Sequence, residues 1–516
     1  MQKFINFLDV LPKLHYQQFR SQAPSLILRL TNIFLAQIIG RLPFFFQTFL
    51  LPVKSRAFVG TFFMSHDNFD LGIKYLELAL KDRSTNKLAI SQLVSLEFNN
   101  GTKVEDIEKK FVDFKLINEK NFQEALDGIA FWNLNHIDFS IYLQNKISKY
   151  EYPMSKVPTR YLPEYATNMG HLGLLFLYLN HFRKFNSITK ILIPAGLSHN
   201  EFYLDLVKRI SPIKIESIND QNYPDSSNKN IHTDSLLINY DSDNKFRIGA
   251  DAAFYGQQLF DDWDVTTDFR MELSDEEVEK GFALIGKNLI SERWIVALHI
   301  RQPKEGDIKL GQCRDSNIED YSQLCELIWD LGGQVVRMGD GRFPDYSHKK
   351  IVFDYANSKI RSDFLDCWLW NQCEFWVGNS HGASIPPLSF NKRRLMTNQW
   401  YWNLIGGRDD VVIPKLLSRN NVLLDPETII KSPVSRCMNW KTLNQKGYNL
   451  IENSKEQIAN GFLQLFSDFK SGTKTSTSGQ EMITQRIKKI QRLNQSSPTM
   501  NLSNLFCEEY LKSLSH

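Results

Sequence analysis

Three short apolar segments, each ending in polar or small residues, constrain this chain more than any other feature. The first spans residues 295–301 and closes on His299 and Arg301, and residues 333–340 and 375–382 repeat the pattern. A continuous apolar run that stops at polar residues is typical of a buried strand in a parallel sheet. Since ligands of open α/β sheets bind at the carboxyl ends of the strands, we expect the three polar ends to share one crevice.

These strand ends and the segments around them carry a resemblance to a known family. The set is His299 with Arg301, Arg314, Gly332 and Gly333 leading into Arg337, Met338, Gly339 and Asp340, then Asp354, Tyr355 and Ala356, and the run from Gly378 to Gly382 followed by Ile385 and Pro386. It resembles a bacterial family of inferred glycosyltransferases over about residues 161–466. The His-x-Arg pair is also similar to the donor-binding strand of fucosyltransferases.

The resemblance implies the GT-B fold, which is α/β with two Rossmann-like domains. It implies transfer of a sugar from a nucleoside-diphosphate sugar to an acceptor hydroxyl, with no cofactor and no obligatory metal. The acceptor would be a glycan, a lipid-linked sugar or a protein, in the synthesis of bacterial cell-surface glycans. The alternatives are a nucleotide-sugar epimerase, which uses the same fold, and a non-catalytic helical interaction protein with a degenerate transferase domain.

The length of 516 residues exceeds one ordinary domain. Pro153, Pro158 and Pro163 mark one boundary, because clustered prolines interrupt helices and strands. The predicted parts are a basic apolar segment (1–56), a helical region that is all-helical and similar to tetratricopeptide hairpins (57–155), an N-terminal Rossmann-like acceptor domain (156–290), a C-terminal Rossmann-like donor domain (291–470), and a linker with C-terminal helices (471–516). The helical region is expected to pack on the protein or to bind a protein partner.

Charge and cysteine usage narrow the class of protein. A net charge of +3 gives no concentrated basic surface, so we expect no nucleic-acid partner. The six cysteines contain no C-x-x-C pair, which favours free thiols in a reducing cytoplasm over a zinc site or a disulfide. Asp9, Lys13 and His15 interrupt any early apolar run, so no secretory signal is expected.

The first sixty residues are basic and rich in Leu, Ile and Phe. Arg29 and Arg41 break residues 26–53 into runs shorter than the ~20 apolar residues of a spanning helix. Two interpretations stay open. The segment lies in the membrane interface on the inner face of the cytoplasmic membrane, or it is an amphipathic helix packed on the next domain.

Two further segments suggest chemistry in the N-terminal half of the molecule. Gly170 and Gly173 flank His171 and Leu172 in what the sequence predicts to be a small loop opening a helix. The resemblance makes His171 the first candidate for the catalytic base, because histidine titrates near neutral pH; the alternative is that it caps or packs its helix. Asp262 and Asp264 have the Asp-x-Asp spacing of metal-dependent transferases, but an Asp-rich helix start explains them equally.

Within the donor domain Arg301 is expected to bind the diphosphate and stabilise the leaving group; the alternative is an ion pair with Asp307 or Asp340. His299 either orients Arg301 or fills a polar gap, and Arg314 is a second phosphate ligand or a surface residue. At the third strand end, Ser380, Gly382 and Ser384 are expected to bind phosphate through backbone N–H groups and a helix dipole. His381 adds a further donor there.

The second strand end supplies the remaining donor-binding candidates. Arg337 and Asp340 are predicted to bind the base or the ribose of the nucleotide, and Gly339 and Asp354 are further candidates for binding the donor. Structural salt bridging is the alternative for the charged members of this group. Asp366 is interpreted as a helix cap or as a buried partner of an arginine.

Overall fold

The structure is a computed structural model. It describes residues 56, 60, 69–82, 87–99, 102, 104–113, 159–161, 169–182, 189–195, 198–218, 231–233, 235–241, 244–249, 270–303, 312–339, 346, 351–400, 402, 407, 409–432, 437, 440–490 and 501–514. The N-terminal segment 1–55, with its expected membrane surface, lies outside this set, as do the Asp-x-Asp residues at 262 and 264. No helix in the described part of the chain is long and apolar enough to cross a membrane.

Helices and strands make up most of the described residues. The helices are α1 (Phe69–Asp82), α2 (Lys87–Asn99), α3 (Val104–Glu108), α4 (Met169–Phe182), α5 (Glu201–Ile210), α6 (Asp275–Ile285), α7 (Ser322–Asp330), α8 (Asp363–Gln372), α9 (Pro386–Ser389), α10 (Pro426–Lys431), α11 (Trp440–Gln445), α12 (Lys455–Ser471), α13 (Ser478–Ile490) and α14 (Asn504–Leu514). The strands are β1 (Thr159–Tyr161), β2 (Lys190–Pro194), β3 (Lys214–Ile218), β4 (Ile231–Thr233), β5 (Ser235–Asp241), β6 (Asn244–Gly249), β7 (Trp294–His299), β8 (Gly333–Arg337), β9 (Val352–Asp354), β10 (Cys373–Gly378), β11 (Arg393–Gln399), β12 (Val411–Pro414), β13 (Leu416–Arg419), β14 (Val422–Leu423), β15 (Tyr448–Ile451) and β16 (Asn501–Leu502).

The chain divides into two compact units, of which the first comprises residues 1–134, 138–151 and 235–253. In this unit α1 packs on α2, with Tyr75, Leu76 and Ala79 buried on α1 at the three- and four-residue spacing of an amphipathic helix. β5 and β6 form an antiparallel hairpin. Every described element between residues 69 and 113 is a helix, as the sequence predicts for that stretch.

The second unit comprises residues 135–137, 152–234 and 254–516 and contains two parallel sheets. The smaller has the order β3-β2-β1-β4, and every neighbouring pair in it is parallel. The larger has seven strands in the order β16-β12-β11-β10-β7-β8-β9, again parallel throughout. Parallel strands need crossover connections, and the helices between them supply these. The α/β fold class with two parallel sheets is therefore confirmed.

The three strands on which the sequence analysis depends lie side by side. β7 occupies the centre, with β10 on one side and β8 on the other. Its residues Val296, Ala297 and Leu298 are completely buried, as expected for a strand covered on both faces. Since the strands are parallel, their carboxyl ends meet at one edge of the sheet.

The C-terminal segment 471–516 contains helices α13 and α14, and it also contributes a strand to the large sheet. Residues 501–502 pair with β12 and become the edge strand of the sheet. α12 begins at the capping box of Ser454 and Gln457 and packs on α7 and β12. Its Phe462 and Phe466 stack on Trp294, at the start of β7, with ring centroids 6.3 and 5.5 Å away.

Helix α6 packs closely on helix α8. It starts at Ser274, whose hydroxyl and Glu277 form a capping box. A Cβ placed on Gly281 would lie 2.0 Å from two ring atoms of Trp368 on α8. The Trp368 ring cannot retreat freely, because it is fully buried and its Nε1–H donates to the Val278 carbonyl at 3.0 Å. Glycine at 281 is thus what allows the two helices to approach.

We therefore expect Gly281→Ala to lower the free energy of unfolding by about 1–3 kcal/mol through overpacking. The matched control is Gly286→Ala at the end of the same helix, where an added Cβ meets no heavy atom within 4 Å. That control should change stability by about 0.5 kcal/mol at most. Urea unfolding followed by circular dichroism measures both variants, and equal losses would contradict the packing explanation.

Candidate active site

The carboxyl edge of the large sheet brings together residues from several strand ends. Helix α4, which lies between β1 and β2 of the smaller sheet, packs on the segment that follows β10. A Cβ on Gly173 would lie 2.9 Å from Ile385 and 3.1 Å from Pro386. This corrects the expected glycine loop: Gly170 and Gly173 lie inside α4, where Gly173 permits close helix packing. His171 is in the first turn of α4, but its side chain lies outside the described set, so its role as a base stays a prediction.

Arg301 follows β7 and is anchored at one end of its guanidinium group. Its Nε donates to Asp315 Oδ1 at 2.6 Å, and the arginine side chain remains 33% exposed whereas that of Asp315 is 3% exposed. Among the residues that the structure describes, its two terminal amino groups make no hydrogen bond. Both expected ion-pair partners, Asp307 and Asp340, lie outside the described residues. The observed partner, Asp315, was not among the sequence candidates.

Asn379 fixes the backbone of this arginine. Its Oδ1 accepts the Arg301 N–H at 2.8 Å, and its Nδ2 donates to the carbonyls of Arg301 at 2.9 Å and of Arg314 at 3.1 Å. The side chain is completely buried, so water does not compete for these bonds. The sequence showed Asn379 only as part of a strand-end motif, and its small amide after a buried strand was the signal for this role.

Asp315 is itself held by several groups. Its Oδ2 accepts the Gln312 N–H at 2.7 Å. The buried Lys415 donates to its carbonyl at 2.6 Å and also pairs with Glu452. Arg314 donates from Nε to Gln312 Oε1 at 2.8 Å and is half-buried. The loop that carries Asp315 is therefore rigidly connected to the sheet.

The two histidines of the motif form a neutral pair. Their ring centroids lie 4.2 Å apart. His381 Nδ1 accepts the Ala383 N–H at 3.2 Å, so the other nitrogen, Nε2, carries the proton and donates to the His299 carbonyl at 2.9 Å. Burial lowers the pKa of His299 to about 3, with Arg361, Arg337 and His199 adding to the effect. Burial also holds the pKa of His381 well below its usual value.

The segment after β10 differs from the expected phosphate cradle. It forms a single 3₁₀ turn, Gly382–Ser384, followed by α9, which is only four residues long, so no extended helix dipole points at the crevice. The N–H groups of Ala383, Ser384 and Ile385 are already bonded within the turn. The Ser384 hydroxyl donates to the His381 carbonyl at 2.7 Å. Ser380 and Gly382 are half-buried at the edge of the sheet, and their role as ligands stays a prediction.

The second strand end forms an internal ion pair. Arg337 and Asp354 are register neighbours on β8 and β9, and Arg337 Nη1 lies 2.8 Å from Asp354 Oδ2. Both side chains are buried, which favours the salt-bridge alternative over contact with a nucleotide. Gly339 has φ +145° and lets the chain turn away after β8. Asp340 lies outside the described residues.

Asp366 lies in the first turn of α8, whose N-cap is Ser362 rather than Asp366. Burial raises the pKa of Asp366 to about 7, although the positive charge of Arg361 and a hydrogen bond with Tyr355 oppose the increase. It is thus a carboxyl group that changes charge near neutral pH. The interpretation of Asp366 as a partner of an arginine agrees with its position beside Arg361.

We expect Asp366 to make stability depend on pH. The folded chain keeps this proton up to about pH 7, whereas an unfolded chain releases it near 3.8. The stabilisation is therefore complete below the unfolded pKa and is lost as the pH rises through the folded pKa. Asp366→Asn, which mimics the protonated form, should gain stability relative to the wild type as the pH rises, so that its advantage at about pH 8 exceeds that at about pH 5 by on the order of 1 kcal/mol or more.

Urea unfolding at the two pH values measures this difference. The control is Asp205→Asn, an exposed carboxyl on α5, which should show no such pH dependence. A pH-independent effect of Asp366→Asn would contradict the raised pKa.

Known proteins offer only distant likenesses to this chain. No protein-family model and no curated protein matches it. Several solved structures resemble it, among them two at 11% sequence identity. E. coli ADP-heptose lps heptosyltransferase II matches with a TM-score of 0.30 over 46% of this chain and 84% of its own. The glycosyl transferase family 9 protein from Veillonella parvula DSM 2008 matches with a TM-score of 0.29 over 47% and 81%. At these values, neither likeness assigns an activity.

Metal-ligating side chains do not cluster in the described part of the chain. Within those residues, no group of three or more His, Cys, Asp and Glu side chains is placed to hold a metal ion. All six cysteines are buried and none forms a disulfide. The expectation of a metal-independent reaction stays a prediction.

Proposed function

We propose that this chain is a GT-B-type glycosyltransferase that moves a sugar from a nucleoside-diphosphate sugar to an acceptor hydroxyl. The observation that carries the proposal is the state of Arg301. Its backbone is fixed by Asn379 and its Nε by Asp315, and its guanidinium remains partly exposed at the carboxyl end of the central strand. Crevices at this edge of parallel sheets are where nucleotides bind.

The geometry suits the charge that develops in such a reaction. When the bond between the anomeric carbon and the phosphate oxygen breaks, negative charge grows on the diphosphate. A guanidinium presents two parallel N–H donors to phosphate oxygens. Because Arg301 is already positioned, it need not reorganise as that charge forms. The sugar is transferred to the acceptor oxygen while the diphosphate leaves with the bonding electrons.

The neutral histidine pair is consistent with this role for Arg301. His299 and His381 are both half-buried, and desolvation keeps them uncharged near neutral pH. They shape the end of β7 without adding positive charge. In the proposed reaction Arg301 is thus the main described cation at this strand end, and the histidines are positioning groups.

The proposal also covers the acceptor, the use of metals and cofactors, the location of the protein and a protein partner. The acceptor would be a glycan, a lipid-linked sugar or a protein in the synthesis of surface glycans. No metal or cofactor takes part in the proposed mechanism, and the protein would work in the cytoplasm or on the inner face of the cytoplasmic membrane. The helical region (57–155) is proposed to bind a protein partner.

We expect Arg301→Ala to lower the affinity for nucleoside diphosphates by at least about tenfold, since a charged hydrogen bond contributes about 1.5–3 kcal/mol. Calorimetric titration with UDP, GDP, ADP and TDP measures this loss. The control, Arg419→Ala, removes an exposed arginine that lies on Tyr448 of the antiparallel sheet, and it should bind as the wild type does. Folding of both variants is checked by thermal unfolding.

Two outcomes would count against the proposal. If the folded wild type binds none of the four diphosphates, the donor site is absent. That result would favour the alternative of a non-catalytic interaction protein. If binding occurs and a nucleotide sugar is converted to its epimer without any acceptor, the epimerase alternative is correct.

A further inference from the structure

A polar cavity of about 450 Å³ opens beyond the carboxyl end of β9 in the large sheet. Its lining includes Ala356, Asn357, Ser358, Arg361, Asp363 and Asp366. The volume falls within the range of small-molecule sites. Of these residues the sequence motifs include only Ala356 and Asp366, and the donor interactions proposed above do not use them.

The cavity borders the same edge of the sheet as His299. Its wall residue Ala356 follows β9, and the Ala356 Cβ lies 3.6 Å from the position of a Cβ on Gly339. From that position His299 Nε2 is 4.0 Å away. The cavity therefore adjoins the end of β7, two residues before Arg301.

One lining residue, Asp363, is held by the start of helix α5. Asn200 Nδ2 donates to the Asp363 carbonyl at 3.2 Å, and the Glu201 N–H donates to Asp363 Oδ2 at 2.9 Å. Asn200 is also the N-cap of α5, accepting the Tyr203 N–H at 2.7 Å. The lining residues themselves all belong to the segment between β9 and the first turn of α8.

The charges of the lining indicate the class of ligand. Among the described residues that line the cavity, Arg361 is the one cation, and its charge acts on the carboxyl group of Asp366, while Asp363 supplies a second carboxyl group to the lining. A phosphate would meet two carboxyl groups here and is disfavoured, since like charges repel. A neutral polyhydroxylated ligand uses all three groups, because a hydroxyl both donates to a carboxylate and accepts from a guanidinium. Asn357 and Ser358 supply further neutral partners.

We propose that this cavity binds a sugar of the acceptor and that Asp366 takes the proton from its attacking hydroxyl. The proposal rests on the glycosyltransferase function proposed above. The acceptor oxygen forms a bond to the anomeric carbon, the bond from that carbon to the phosphate oxygen breaks, and the diphosphate leaves with the electron pair. The hydroxyl proton passes to the Asp366 carboxylate, so no other reactant is needed.

The surroundings of Asp366 suit a proton acceptor. It is half-buried and borders the cavity. The titratable and charged groups around it are Arg361, Tyr355, Asp363 and Cys367. His199 lies on the loop before α5 and acts, as Arg361 does, on His299. Burial raises the pKa of Asp366 to about 7, which is where a general base works best near neutral pH.

Binding of a sugar tests the cavity without requiring the donor. Saturation-transfer NMR with glucose, galactose, mannose, N-acetylglucosamine and rhamnose is measured on the full chain. A carboxylate accepts stronger hydrogen bonds than a carboxylic acid. We therefore expect the affinity of the bound sugar to rise between about pH 6 and pH 8 in the wild type. Asp366→Asn should lack this increase, and the exposed control Asp205→Asn should keep it.

Turnover tests the proton transfer. Release of nucleoside diphosphate is measured with the sugar that binds and with UDP-, GDP-, ADP- and TDP-sugars. We expect Asp366→Asn to lower kcat by about a hundredfold or more and to remove the rise of kcat through neutral pH. The same variant should bind nucleoside diphosphates as the wild type does, because Arg301 is unchanged.

The outcomes separate this inference from the function on which it rests. If diphosphates bind through Arg301 but no sugar gives saturation transfer, the cavity assignment is overturned and the donor site stands. If Asp366→Asn keeps the pH dependence of kcat, while His171→Gln removes it, Asp366 is not the base. If no diphosphate binds, the proposed function itself fails.

Discussion

The crevice depends on the hydrogen bonds of Asn379. A parallel sheet brings strand ends to one edge, but it does not fix the loops that leave them. Asn379 joins the end of β10 to the loops that carry Arg301 and Arg314, which lie 78 and 65 residues away in the sequence. Because this amide is completely buried and three of its hydrogen bonds are made, moving either loop would leave polar groups unpaired in the interior. That penalty gives Arg301 a defined place before any ligand arrives.

The buried ion pairs around the same edge position backbone groups more than they stabilise the fold. Arg394 pairs with Asp410, and its Nη1 donates to the Ser384 carbonyl at 2.6 Å. Lys415 connects Glu452 to the carbonyl of Asp315. Taking such charges out of water costs about as much as their attraction returns, so these pairs are poor sources of stability. Each holds a backbone carbonyl next to a strand end, and their joint effect is a rigid edge.

The sequence predicted the parts of this site that local patterns encode. Apolar runs located β7, β8 and β10. It did not predict contacts between distant segments. The partner of Arg301 is Asp315, on a loop without periodicity, and Lys415 reaches that residue from 100 positions away. The glycines of α4 were interpreted wrongly for the same reason. Gly173 is needed because its helix packs against Ile385, which is distant in the sequence. Arg337 lies at the end of a predicted strand, but its ion pair with Asp354 arises because β8 and β9 are neighbours in the sheet.

The arrangement of charge along this edge favours a reaction that separates charge. Arg301 lies beyond the end of β7, the neutral histidines lie at that end, and the cavity with Asp366 adjoins His299 through Gly339 and Ala356. In the proposed transfer, negative charge moves onto the diphosphate beside Arg301, and a proton moves onto Asp366. A charged imidazole at this edge would compete with Arg301 for the diphosphate and would also hold the Asp366 carboxylate ionised, which weakens it as a base. Burial keeps both histidines neutral, so the guanidinium and the carboxyl group each act on their own end of the reaction.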